Sequence, residues 1–171
     1  MDNWTSLVQL LVPKDGVDIT TDPKLWDESN PAYKEILKKW QDAQFNLDSI
    51  KWTNYYPGLH FQSELVNQLV IDLKLSGLHR AWVSRVDPGF MTGWHWDVDD
   101  NEEQYLEKGS IVRYTIALQD FAPGQIFILD NEYHLDSVAG KIIQWSDHRL
   151  WHTAMNSSYQ PNWMLHILGY E

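Results

Sequence analysis

A change of texture at residue 80 constrains the fold of this chain more than any other feature. From there the chain breaks into six short β-rich runs, at 81–86, 111–118, 125–129, 141–145, 151–155 and 163–168. Turn signals separate them: Asp87-Pro88-Gly89, Ala122-Pro123-Gly124, Asp130-Asn131 and Ala139-Gly140. Such residues break a strand because they favour bent backbone or withhold a ladder hydrogen bond. Many short strands at this spacing fold as a sandwich or a small barrel. Within 111–118 the pleat puts Val112, Tyr114, Ile116 and Leu118 on one face. Ile111, Arg113, Thr115 and Ala117 take the other, so Arg113 lies between apolar neighbours, where a charge needs a partner.

Residues 1–79 read as mainly helical and loop-like, a helical buttress to a β core spanning 80–171 within one domain of 171 residues. Asn30-Pro31 opens a helix, with Asn as cap and Pro in the first turn. Tyr33, Ile36, Leu37 and Trp40 follow at helical spacing, with Lys34, Glu35, Lys38 and Lys39 facing away. Ser63-Glu64 opens a second helix striped by Leu65, Val66, Leu69, Val70 and Leu73, with Gly77 as its stop. Both helices are expected to pack on a sheet. Between them, Tyr55-Tyr56-Pro57-Gly58 reads as a turn, and residues 97–107 read as an acidic exposed loop.

Composition narrows the partners. Thirteen basic residues against 24 acidic ones give a net charge of −11, which repels phosphate backbones and disfavours nucleic acid. There is no cysteine, so disulfides and thiolate metal sites are excluded. No basic leader and no apolar run of about 18 residues occurs. A soluble, cytoplasmic protein is the expectation, with no membrane partner. Ten tryptophans are read mainly as packing, except Trp94 and Trp96, which flank the residues considered next.

The chemistry-bearing constellation is His95-Trp96-Asp97 with His152, 152 − 95 = 57 residues later. Two imidazoles and one carboxylate are the ligand set of a mononuclear iron(II) centre that leaves coordination positions open. Residues i and i+2 of a strand point the same way, so His95 and Asp97 can reach one ion, while Trp94 and Trp96 face away. His152 must come from another strand. His148 is a rival third ligand, but it follows Ser146-Asp147 in a turn, whereas His152 leads into Thr153-Ala154-Met155. His166, with Asn162 and Met164, is placed toward the barrel interior. His60, His79 and His134 are read as structural or solvent-facing, and Asp99 and Asp100 as a solvated loop.

These residues carry a family resemblance. Residues 80–169 resemble the double-stranded β-helix, a jelly-roll or cupin-like core, of the iron(II)/2-oxoglutarate-dependent oxygenases. Gly93-Trp94-His95-Trp96-Asp97 is similar to that family's first ligand motif. Arg113-Tyr114-Thr115-Ile116 followed by Gly124-Gln125-Ile126-Phe127 resembles its prolyl-hydroxylase-like middle strands, and Arg149-Leu150-Trp151-His152 the approach to its distal histidine. The resemblance implies a mainly β fold with flanking helices. It implies iron(II) on His95, Asp97 and His152, with 2-oxoglutarate and dioxygen as cosubstrates in hydroxylation of a C–H bond. The substrate class would be a peptide, an amino-acid side chain or a small metabolite.

One position departs from the family. The basic residue that grips the far carboxylate of 2-oxoglutarate commonly sits about ten residues past the distal histidine, and here Asn162 stands there. Asn donates hydrogen bonds but brings no charge. Some relatives use a basic residue from a strand just after the first ligand pair, which here is Arg113, with Arg85 and Arg149 behind it. Tyr114, Gln125 and His166 are further candidates for contacts to the cosubstrate. Two other readings stand beside the oxygenase. One is a cupin-type metal enzyme that does not use 2-oxoglutarate. The other is a non-catalytic module that binds a small acid or a partner.

Overall fold

The computed structural model describes residues 17–26, 29–56, 64–98 and 110–171. In chain order the elements are β1 (Val17–Thr21), α1 (Pro31–Asp42), β2 (Trp52–Tyr56), α2 (Glu64–Asp72), β3 (Gly77–Val86), β4 (Ile111–Ala117), β5 (Gln125–Leu129), β6 (Glu132–His134), β7 (Ile142–Trp145), β8 (His152–Asn156) and β9 (Asn162–Tyr170). They form a six-stranded sheet, ordered β1-β2-β3-β9-β4-β7, and a three-stranded sheet, β6-β5-β8. Every pairing between these strands is antiparallel.

The register shows which residues share the interior. His166 pairs with Trp82 on one side and Thr115 on the other. Met164 pairs with Ser84 and Ala117, and Leu168 with Arg80 and Arg113. Trp145 continues the Arg113 rung. From the smaller sheet, Phe127 pairs with Ala154, and Leu129 with His152. Val86, Phe127, Leu129, Ile143, Trp145, Ala154 and Met164 form one buried cluster drawn from both sheets, so the sheets enclose it. This is the jelly-roll arrangement of a double-stranded β-helix. Residues of opposite parity build a second core behind the larger sheet: Val83, Val112, Tyr114, Ile116, Leu165 and Ile167, capped by Val66 and Leu69 of α2. Strand β4 is buried along its whole length because both of its faces are covered.

Helix α1 starts as expected: the Asn30 side chain accepts from the Ala32 amide at 2.9 Å, and proline takes the first turn. Among the described residues, it meets the larger sheet only near its edge, through Trp52 of β2. Ile36, Leu37 and Trp40 bury themselves with Ile50 and Trp96, over the segment that runs from β3 toward Asp97. Helix α2 does lie against the sheet. It ends at Asp72, and Lys74, at φ 58°, supplies the left-handed residue expected of Gly77, which instead begins β3.

The amino-terminal part also departs from the expectation of helix and loop. Strands β1 and β2 join the larger sheet through β3, and Tyr55 and Tyr56 belong to β2 rather than to a turn. Pro57, Gly58, His60, Ser63, Asp99 and Asp100 lie outside the described residues. No helix among the described residues is long and apolar enough to cross a membrane.

Candidate metal centre

His95, Asp97 and His152 come together with their ligand atoms all within 4.8 Å of one another. His95 and His152 face each other as an antiparallel bridge, exchanging backbone hydrogen bonds of 3.0 and 2.8 Å. That bridge is local. His95 is a single bridged residue and Asp97 follows in irregular backbone, so the first pair stands on a loop stitched to β8, not on a full strand.

Both imidazoles are aimed the same way. The Nδ1–H of His95 donates to the Gly93 carbonyl at 3.0 Å, and that of His152 to the Leu150 carbonyl at 3.0 Å. A carbonyl oxygen only accepts, so Nδ1 carries the hydrogen in each ring and Nε2 is the nitrogen left to face a metal. An outer carbonyl that fixes the tautomer and ring angle is what metal-binding histidines need. Burial, and then the neighbouring His152, push His95 down to about 4, so it is neutral near pH 7. Burial alone would raise the Asp97 carboxyl. The His152 and His95 rings and the Arg113 guanidinium override it and hold Asp97 well below the usual carboxylate range. Arg113 Nε–H donates to Asp97 Oδ2 at 3.0 Å, and Asp97 Oδ1 lies 3.5 Å from His152 Nε2. Two imidazole nitrogens and one carboxylate oxygen suit a divalent first-row ion, so the residues fit the metal that the resemblance implies.

The trio opens on a cavity of about 430 Å³. Its walls carry Trp26, Trp52 and Trp82, with Arg113, Ser84 and His166 beyond. Trp52 stacks on His95 with centroids 5.6 Å apart, and Trp145 lies 5.3 Å from His152. His166 sits beneath Trp82, stacked at 4.8 Å, and its ring nitrogens bond Ser84 Oγ at 2.7 Å and Thr115 Oγ1 at 3.0 Å. Burial is the main cause that lowers His166 to about 3.

The other expected residues fall elsewhere. Tyr114 borders the cavity, but its side chain belongs to the cluster under α2. Asn162 is fully buried beyond Met164, is not among the residues lining the cavity, and its amide bonds none of the described residues. Gln125 braces two turns, accepting from the Ala122 amide and donating to the Gln160 carbonyl. Arg85 makes a two-point pair with Asp87 on the far face of β3. Arg149 is exposed and lies over Trp96. His148 stands edge-on to Trp96 at 6.2 Å, apart from the trio.

Trp52, Trp82, Ser84 and Thr115 were not anticipated. A signal existed for the last two: a polar residue at an inward position of an otherwise apolar strand marks a cavity rather than a core.

No family model matches the sequence, and no curated protein matches it. Solved structures match in shape. A prolyl hydroxylase from Trichoplax adhaerens, solved with a hypoxia inducible factor peptide fragment, is 14% identical with a TM-score of 0.51, over 96% of this chain and 89% of its own. A Pseudomonas putida prolyl-4-hydroxylase is 14% identical with a TM-score of 0.48, over 96% and 100%. A cupin-2 domain from Rhodospirillum rubrum is 9% identical with a TM-score of 0.48, over 93% and 72%. At such identities the likeness is one of fold, and the fold is the cupin-like double-stranded β-helix already read from the strand order.

Proposed function

We propose that this protein is a non-haem iron(II)/2-oxoglutarate-dependent oxygenase that hydroxylates a peptide or amino-acid side chain. The observation that carries the reading is the trio His95, Asp97 and His152, each histidine with its Nδ1–H satisfied by a carbonyl, open to one cavity. Iron(II) held there with 2-oxoglutarate supplies the oxidative chemistry that places an oxygen atom on a substrate C–H bond.

The chain's own residues do the rest. Asp97 contributes charge and one oxygen, while Arg113 ties the other oxygen to the rigid strand β4. Arg113, 1% exposed, is the buried cation of the cavity wall, against which the far carboxylate of the acid is placed. His166 extends that wall. Its two ring nitrogens are held by the Ser84 and Thr115 hydroxyls, which fix the ring on the wall. The tryptophans of the walls give the cavity an apolar lining beside the reacting centre.

Anaerobic reconstitution with iron(II), followed by 2-oxoglutarate, tests the proposal through the visible charge-transfer band of the chelate. A band is expected in the wild type, none in His95→Ala, and a weakened one in Arg113→Ala. The position of Asn162 off the cavity favours a second reading, a cupin-type metal enzyme without 2-oxoglutarate. Iron bound tightly with no band on adding the acid would select that reading. Absence of metal binding would leave a binding module.

A further inference from the structure

We infer that Trp40 is a positioning residue for the metal centre, through which helix α1 fixes the backbone that aims the histidine rings. The inference rests on the reading of His95, Asp97 and His152 as ligands. Each ring is aimed by the carbonyl two residues before it, Gly93 for His95 and Leu150 for His152. Residues 92–94 and 146–151 lie outside the strands, so the sheet does not set these carbonyls directly.

Helix α1 reaches both segments. Trp40 is fully buried, and its indole N–H donates to the carbonyl of Trp94, the peptide that leads into His95. Its ring also lies against Gly93. That glycine sits at φ 67°, and a Cβ there would come within 2.6 Å of Trp40 Cζ2. One indole therefore contacts both peptide units that set the angle of the His95 ring. The second arm is held from the same helix: Lys39 Nζ lies 3.9 Å above the Trp151 ring, and Glu35 pairs with Arg149 at 3.8 Å. Trp151 and Arg149 flank Leu150, whose carbonyl aims His152. The two arms are themselves joined at the His95–His152 bridge, so a shift in either moves the ligand set.

The test compares cobalt(II) affinity with the stability of the metal-free protein in two variants. Trp40→Phe keeps an aromatic ring and removes the N–H, part of the contact with Gly93 and some packing within its cluster, whose cost the stability measurement reads. Leu69→Ala destabilises the chain from α2, behind the sheet, and touches neither arm. Trp40→Phe is expected to lower cobalt(II) affinity about 10-fold, within the range found for groups that orient metal ligands, and to change the visible cobalt spectrum. Leu69→Ala is expected to keep wild-type affinity at equal or lower stability. An affinity in Trp40→Phe that is no weaker than in Leu69→Ala, with an unchanged spectrum, overturns the inference. Should Trp40→Phe not fold, Lys39→Met on the exposed side of α1 decides. A loss of about 2–5-fold supports the clamp, and unchanged affinity overturns it. Wild-type protein that binds no cobalt(II) overturns the metal reading, and this inference with it.

Discussion

Helix α1 lays Ile36, Leu37 and Trp40 against irregular backbone that carries His95 and Asp97, whereas α2 lays Val66 and Leu69 against the back of a continuous sheet. Both are short and amphipathic, and both precede the strand-rich part of the chain. The difference is in what they cover. The backbone under α2 is already fixed by ladder hydrogen bonds on both sides of β3, β9 and β4, so α2 adds burial and therefore stability. The backbone under α1 is held by isolated bridges at Met91 and His95 rather than by a continuous ladder, so α1 supplies order between them that the ladder does not. Equal losses of packing at the two helices should then have unequal effects on the metal centre.

The strongest way to break this comparison is Gly93→Ala. A left-handed non-glycine residue costs roughly 1–2 kcal/mol, and forcing a methyl into a packed site roughly 1–3 more. Trp40 and Ile50 at 2.6 and 3.2 Å from the added Cβ leave it no room. A drop of about 2–5 kcal/mol in urea unfolding is expected, together with the largest loss of metal affinity of any change outside the ligands. A Gly93→Ala protein that binds cobalt(II) normally would show that α1 does not govern the site.

Leu69→Ala comes next and sharpens the contrast from the other side. Leu69 is 3% exposed in the cluster behind the sheet. Its truncation should cost about 2–5 kcal/mol, with the cobalt(II) dissociation constant within twofold of wild type. A large change in affinity would mean that the sheet transmits strain to the ligands, and the distinction between the helices would fail.

Acid separates the two regions in a different way. His95 belongs to the loop under α1 and His166 to the sheet, and both are held neutral, at about 4 and about 3 against 6.5 in water. The unfolded chain takes up protons on both below pH 6.5 while the folded protein resists. Their contribution to stability is therefore complete above pH 6.5 and is lost as pH falls toward 4 and then 3. Metal-free wild type should lose stability between pH 6.5 and 4.5, and His166→Gln should lose it on a shallower slope. Parallel slopes in urea titrations across that range would remove His166 from the account.

How far the sequence discloses this arrangement depends on what each residue faces. Strands β3 to β9 are legible because β-rich apolar residues recur along them and turns separate them; the exception is the three-residue β6, too short to show alternation. The grouping of His95, Asp97 and His152 is legible because residues of these types, two apart on one segment and 57 apart to the next, can reach one ion, and they do come together. Strand β2 is hidden for a physical reason. Trp52 and Asn54 both line the cavity, so its inner face reads as mixed rather than apolar, and the alternation that marks a strand is lost. The role of α1 is hidden too. The stripe of Ile36, Leu37 and Trp40 states that the helix has a partner, but nothing in it distinguishes a sheet from a loop. Arg113 is half legible: alternation places it inward and demands a partner, while the partner, Asp97, lies 16 residues back on the loop.

The smallest effect isolates the clamp within α1 itself. Lys38 and Lys39 are adjacent, alike in charge and both exposed, yet they point to different neighbours. Lys38 Nζ pairs with Asp42 at 2.6 Å on the same helix, with its side chain 70% exposed. Such a pair is worth only about 0.3–0.5 kcal/mol and touches nothing beyond the helix. Lys39 instead lies over Trp151, on the segment that aims His152. Lys38→Met should therefore shift stability by under about 0.5 kcal/mol and leave cobalt(II) affinity unchanged. Lys39→Met changes the net charge equally, so any purely electrostatic effect on a cationic metal is shared by the two variants and cancels in their ratio. A lower affinity in Lys39→Met than in Lys38→Met then reports the contact with Trp151 alone. Equal affinities would assign whatever effect is seen to charge, and the clamp of α1 on the His152 arm would be overturned.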